Sequence, residues 1–340
     1  MMKPLEKIIQ TLIRNGTSTE EFGLFYGKIG MSIYFYHLSR IENNKEYAQI
    51  AEKHLDEIIE EISAVQSIDI KNGLAGISLG IDYLVKNSFV RGDINNILQN
   101  IDDQLFRTMS VAKHYEQLDA FTVIQLLYYF YVRLRSQKQD SENEYFFREI
   151  CIKAINVTYT KIETTPFGGR LAYTAECELP LFLYVLSKIH SLNFYNVRIV
   201  KILSELSPVV LSTIPILHSN KLYLLWAMTI VYEHVKMNGW SEHIELLTRE
   251  LNLDEIVNIE LKNRSVFFSD GATSIFLLAE SVKKYLGEEN VCVFQQKLLE
   301  KIEQSEVWKL LETDPQYFST HSGLYNGFCG VALLLMTCKK

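Results

Sequence analysis

The side chains that could do chemistry are scattered along the chain. The five cysteines, Cys151, Cys177, Cys292, Cys329 and Cys338, form no C-x-x-C pair. That spacing excludes a Cys-only zinc module and suits reduced thiols in a cytoplasm. A catalytic zinc needs three protein ligands and an open position. The donors near the helix starts of the repeat described below are Cys177, Cys329, His321 and Asp270, from which a relocated metal site would have to be built. The competing reading of a cysteine beside apolar helix residues is a small buried hydrophobe. Glu176, Glu178 and Asp270 are candidates for acid–base work by paired carboxylates. Acidic residues at helix N-termini also meet the helix dipole favourably and need no other reason to be there. No G-x-S-x-G elbow, Gly-rich phosphate loop with lysine, or H-E-x-x-H motif occurs.

The elements that must carry these residues are repeated. G-x-x-G followed by an apolar helical run appears as GLFYGKIGMSIYFYHL from Gly23, NGLAGISLGIDYL from Asn72 and HSGLYNGFCGVALLLM from His321. A worn copy, FFSDGATSIFLLAE from Phe267, keeps Gly271 and has Ser274 for the second glycine. Aligning the apolar runs adds weaker copies. The first-glycine positions are then Gly27, Gly73, Ala120, Ala175, Leu224, Gly271 and Gly327, spaced by 46 to 56 residues. Seven units of that length each fit two helices and two connections, a helical repeat.

Within a unit the two helices contrast. The segment after the glycines, such as Met31 to Leu38 or Val331 to Met336, is apolar nearly all round and must be buried on most sides. The next is amphipathic: Tyr47, Ile50, Ala51, Leu55, Ile58, Ile59 and Ile62 share one face, with Glu52, Lys53, Glu57 and Glu61 on the other. Inner and outer helices alternating around a closed ring bury all of this, which predicts an all-α, α,α-toroid fold with residues 1–340 as one domain. Glycines at the inner-helix starts would let neighbouring helices approach closely and let the chain take positive φ at the turn. The aromatic run Tyr128 to Val132 falls where the third inner helix is expected and reads as core.

The strings GLFYGKIG, NGLAGISLGIDYL and GLYNGFCG resemble the repeats of lanthionine synthetase C-like proteins, over about Gly23 to Met336. The resemblance implies a toroid whose helix starts converge on a central cavity. It also implies a zinc-dependent reaction, addition of a peptide cysteine to a dehydrated Ser or Thr. The family's metal sits on a Cys in the fifth unit, in a W-C-Y-G context, and on a Cys-His pair before the glycine of the sixth. Here the pair is Ser269 and Asp270, and the fifth-unit position is Leu222 by the repeat register or Ala227 if Trp226 is matched. No cysteine lies between Cys177 and Cys292, so no register restores one. The family's fourth-unit histidine is matched by Thr174. The expectation is therefore a homologue with no metal ligands and no cofactor, binding a peptide or protein partner through Ser269, Thr174, His321, Asn326 and Tyr26. Two other readings stay open: a thioether-forming cyclase with a site rebuilt on Asp270, Glu176, Glu178 and Tyr223, or a carbohydrate-active or wholly structural toroid.

Composition trims the alternatives. A formal charge of −7 with interspersed signs argues against capture of nucleic acid or an anionic membrane. The first twenty residues carry charges among their apolar positions and do not read as a signal peptide. No apolar run reaches the roughly 18 residues needed to span a bilayer.

Overall fold

The structure, a computed structural model, describes residues 4–15, 19–111, 117–162 and 167–338. Residues 1–3 and 16–18 of the amino-terminal reading lie outside them. The described residues form helices and no strand. In chain order the longer helices are α1 (Pro4–Asn15), α2 (Lys28–Glu42), α3 (Lys45–Glu61), α4 (Leu74–Lys86), α5 (Ile94–Ser110), α6 (Ala120–Arg135), α7 (Glu142–Ile162), α8 (Glu178–His190), α9 (Asn196–Ser212), α10 (His218–His234), α11 (Trp240–Glu250), α12 (Ala272–Ser281), α13 (Glu288–Glu303) and α14 (Phe328–Thr337). None is long and apolar enough to cross a membrane, among the described residues.

The expected alternation is present. In α2, ten consecutive-to-near-consecutive residues from Lys28 to Leu38 are buried, whereas α3 buries only Ala51, His54 and Ile58. The aromatic run behaves as core: Tyr129 and Phe130 in α6 are at most 1% exposed, and only Tyr128 reaches intermediate exposure.

The chain divides into two compact units, one of residues Met1–Arg107, Asn263–Thr273 and Leu299–Lys340, the other of Thr108–Lys262 and Ser274–Leu298. In the first unit the buried helix α2 packs against α3, α4 and α14, and α14 packs against α1. In the second, α6 packs on α7 and α8, and α10 packs on α8 and α11.

The glycine motifs of the first unit share one geometry. The amide at the helix start donates to the carbonyl seven residues back in every copy: Lys28 to Glu21 (2.9 Å), Leu74 to Ser67 (2.9 Å), Ala272 to Ser265 (3.0 Å) and Phe328 to His321 (2.8 Å). The loop thus folds over its own helix and satisfies an amide that the helix leaves open. A Cβ on the second motif glycine would overlap the carbonyl six residues back, Leu24 O for Gly30, Ile70 O for Gly76 and Leu324 O for Gly330. Close approach is the whole use of these glycines. The expected positive φ is not found: Gly27, Gly73 and Gly327 are extended (φ −117°, −99° and −163°). Among the described residues the positive-φ glycines are Gly239 and Gly287, outside the motifs.

The loops are also tied to one another by main chain. Ser269 N–H donates to Tyr325 O (2.9 Å), Tyr325 N–H to Phe25 O (3.2 Å) and Phe25 N–H to Lys71 O (3.1 Å). Each residue stands two before its helix-start glycine, so one position of the repeat links four successive loops. Gly23 and Gly323 make the approach possible, because a Cβ on either would strike the backbone of the neighbouring loop, at Lys71–Asn72 and Phe25–Tyr26.

The second unit lacks these glycines, and side chains cap two of its helix starts. Asp119 accepts from Thr122 N–H (2.8 Å) at α6. Glu260, at the end of a short π-helical turn (Ile256–Glu260), accepts from His218 and Ser219 N–H (2.6 and 2.9 Å) at α10. Two register assignments are corrected here. The helix start is Cys177, not Ala175, in the fourth copy, and Leu217, not Leu224, in the fifth. α10 extends two turns further towards its N-terminus than α2 does, so matching the apolar runs placed the start too late.

Beneath the first loop, Lys28 at the start of α2 is buried and its ammonium lies 2.8 Å from Glu57 of α3. Burial would raise the Glu57 carboxyl; the hydrogen bond and charge of Lys28 override it and leave it lowered. His54, fully buried one turn away, has no hydrogen-bond partner for either ring nitrogen, and burial lowers it to about 4.

Two outcomes follow. Gly330→Ala should destabilise the protein by about 1–3 kcal/mol in denaturant unfolding, while Gly169→Ala, with nothing within 4 Å of the added carbon, should leave the midpoint near wild type. His54 is protonated in the unfolded chain below pH ~6.5 but stays neutral in the fold until about pH 4. Stability should therefore fall across that window by on the order of 3 kcal/mol, and His54→Leu should flatten that part of the pH–stability curve. An unchanged slope would show that His54 does not carry it.

Candidate functional site

The sequence candidates fall into two groups, each within one unit. In the first unit, the sixth and seventh loops bring Ser269, Asp270 and Asn326 together. The Ser269 hydroxyl lies 3.0 Å from Asn326 Oδ1 and 3.1 Å from Asp270 Oδ1, so one proton serves two acceptors. Asp270 is exposed, while Ser269 and Asn326 are half-buried. His321 is stacked between Tyr317 (centroids 4.2 Å apart) and Phe267 (5.1 Å), and its Nδ1 faces Tyr317 O and Thr320 Oγ1, both at 2.9 Å. Its ring is a packing element of the seventh loop. Tyr26 is half-buried and meets Phe25 edge-on at 6.3 Å. Burial raises the Tyr317 hydroxyl, with Arg264 opposing and Asp270 adding to the shift.

Sequence reasoning passed over an aromatic group here. Phe25 and Tyr325 stack at 4.1 Å, and Phe268 lies 5.5 Å from Tyr325. The signal was available, because Phe25 and Tyr325 occupy the same place in GLFYG and GLYNG, two before the glycine.

In the second unit, the loop before α8 holds Thr174, Glu176 and Glu178. Thr174 Oγ1 accepts from Glu176 N–H (3.1 Å), and its carbonyl receives the Cys177 thiol (3.2 Å). Glu178 opens α8, with one carboxylate oxygen buried and lacking a hydrogen-bond partner among the described residues. Tyr223 is 3% exposed and donates to Ala175 O (2.9 Å), while Tyr173 donates to Ser274 Oγ (2.9 Å). These two phenols do for the second unit what glycine approach does for the first: they pin a loop.

The chain has the fold of nisin cyclase. That solved structure superimposes with a TM-score of 0.69 over 98% of this chain and 93% of its own, at 14% sequence identity. The likeness shows the fold, and it bears out the all-α toroid expected from the repeat. No protein-family model and no curated protein matches the chain.

The lanthionine synthetase C-like fold brings with it the question of zinc, and the residues present do not fit that ion. Ser269 and Asp270 stand before Gly271, and the hydroxyl engages the carboxylate and an amide instead of offering a soft donor. Leu222 and Ala227 are fully buried inside α10. Counted from the helix start as found, the residue two before it is Pro215, which has no donor either. Burial pushes Cys177 up to about 12 and Cys329 well above its ordinary value, so both stay protonated. Among the described residues, no group of three His, Cys, Asp or Glu could hold a metal ion.

If the Ser269 hydroxyl orients Asp270 and Asn326 without supporting the fold, Ser269→Ala and Asp270→Ala should each change the unfolding midpoint by less than about 0.5 kcal/mol. A larger loss for Asp270→Ala would make it a structural cap of α12.

Proposed function

We propose that the chain is a lanthionine synthetase C-like protein of the cytoplasm, one domain over residues 1–340, that has given up the zinc-dependent cyclase reaction and binds a peptide or protein partner in the making of a modified peptide. The observation that carries this reading is the chemistry at the sixth loop: a serine hydroxyl and a carboxylate, joined by the Asn326 amide of the seventh loop, stand where the resembling family keeps a Cys-His pair. A hydroxyl–carboxylate–amide cluster hydrogen-bonds well to peptide main chain and to polar side chains, and it does not lower a thiol's pKa as a metal does. The fold shared with nisin cyclase, whose name records a cyclase activity, supports a peptide as the bound class.

The rings around that cluster favour the same occupant. Phe25, Tyr26, Phe268 and Tyr325 offer apolar faces with polar tips, a surface suited to peptide side chains. The alternatives of a rebuilt cyclase and of a carbohydrate-active enzyme need a free acid–base pair. No observation within either unit favours one, and Tyr223 is engaged with a backbone carbonyl.

Protein purified without chelator should contain well under one equivalent of zinc by elemental analysis. Incubation with a dehydrated, cysteine-containing peptide should bind the peptide without loss of free thiol. Stoichiometric zinc, or a thioether product, would overturn the proposal in favour of an active cyclase.

A further inference from the structure

A groove in the second unit has features of its own. It has two compartments that adjoin at Thr248 and Arg249, which line both. The smaller, of about 360 Å³, is floored by Tyr232, Ile244 and Tyr285. The larger, of about 740 Å³, runs past the end of α11 to the start of α13. Both volumes lie in the range of genuine ligand sites.

The two ends differ in chemistry. The smaller compartment is apolar, with two half-buried tyrosines whose rings are already faced by Lys236 (3.9 Å) and Lys284 (5.0 Å). Lys284 is in turn paired with Glu233. The larger is acidic: the residues lining the two compartments include five carboxylates and two cations, with Lys236 and Lys284 standing beside the smaller one. Both cations are already engaged, Lys297 with Asp254 (2.6 Å) and Arg249 with Glu250 (3.6 Å), and His218 faces Glu255 at 3.2 Å. Glu245 and Glu289 are exposed and carry no ion pair among the described residues, and Val293 beside Glu289 is 51% exposed. No group of three donors here could hold a metal ion, and the excess negative charge repels nucleic acid.

We infer that this groove docks a cationic amphipathic peptide segment, an apolar side chain seated between Tyr232 and Tyr285 and lysine or arginine residues lying along Glu245 and Glu289. Charge complementarity selects the sign of the segment, and the apolar compartment separates it from a merely basic chain. The groove shares no residue with the sixth- and seventh-loop cluster, so it stands whether or not the proposed function does.

The test uses the full chain and three fluorescently labelled short helical peptides, one of leucine and lysine, one of leucine and glutamate, and one of lysine and glycine. Anisotropy should show binding of the leucine–lysine peptide alone, weakening as salt rises. Glu245→Lys with Glu289→Lys should weaken it roughly ten-fold or more, as should Tyr285→Ala, while all variants keep the wild-type unfolding midpoint. Ser269→Ala should leave this binding unchanged, which separates failure of the groove from failure of the proposed function. Equal binding of the glutamate or glycine peptide, unchanged affinity in the charge-reversed variant, or sedimentation showing that a second copy of the chain competes for the groove would each overturn the inference.

Discussion

The contact on which this structure rests is the passage of one peptide carbonyl over a residue with no side chain. At Gly30, Gly76 and Gly330 the loop carbonyl six residues back occupies the space a Cβ would need. Because the overlap is with rigid main chain, no rotamer change relieves it. The same loops return a hydrogen bond from the first helical amide to the carbonyl seven residues back. Helix start and loop are thereby one object, and the helix needs no Ser, Thr or Asp cap, a point visible in the uncapped Gly27, Gly73 and Gly327.

That economy frees the residues between the glycines. In the sixth and seventh loops the backbone carries the fold, through the bond from Ser269 N–H to Tyr325 O, while the side chains of Ser269, Asp270 and Asn326 face one another. Side chains at such a place can differ in their chemistry without touching the support. In the second unit the arrangement is reversed. Loops there are held by Tyr173, Tyr223, Asp119 and Glu260 side chains, so the residues that look chemically able are partly spent on structure.

The architecture was largely legible in the sequence. Backbone geometry imposes glycine directly on the amino-acid pattern, and full burial imposes an apolar run, so the repeats with glycine could be read with their boundaries. Of the two uses glycine could have at the helix starts, close approach holds and positive φ does not. Where the helix starts lack glycine, the pattern vanished and the register slipped by two residues at Cys177 and by seven at Leu217. Of the site, the gathering of Ser269 with Asn326 was anticipated only as membership of one cavity, because a hydrogen bond between loops 57 residues apart leaves no periodic trace. The stacking of His321 between Phe267 and Tyr317 could not be read either, since nothing in their types distinguishes these two from aromatic residues elsewhere.

The central claim is that the loops carrying the candidate site are fixed by main-chain bonds from Phe25, Tyr325 and Ser269, and it is most directly tested by native-state amide hydrogen exchange. The account predicts that these three amides, although they lie in loops, exchange as slowly as those in the middle of α2 and open only with global unfolding. Exchange at the rate of exposed loop amides such as Lys262 would contradict it.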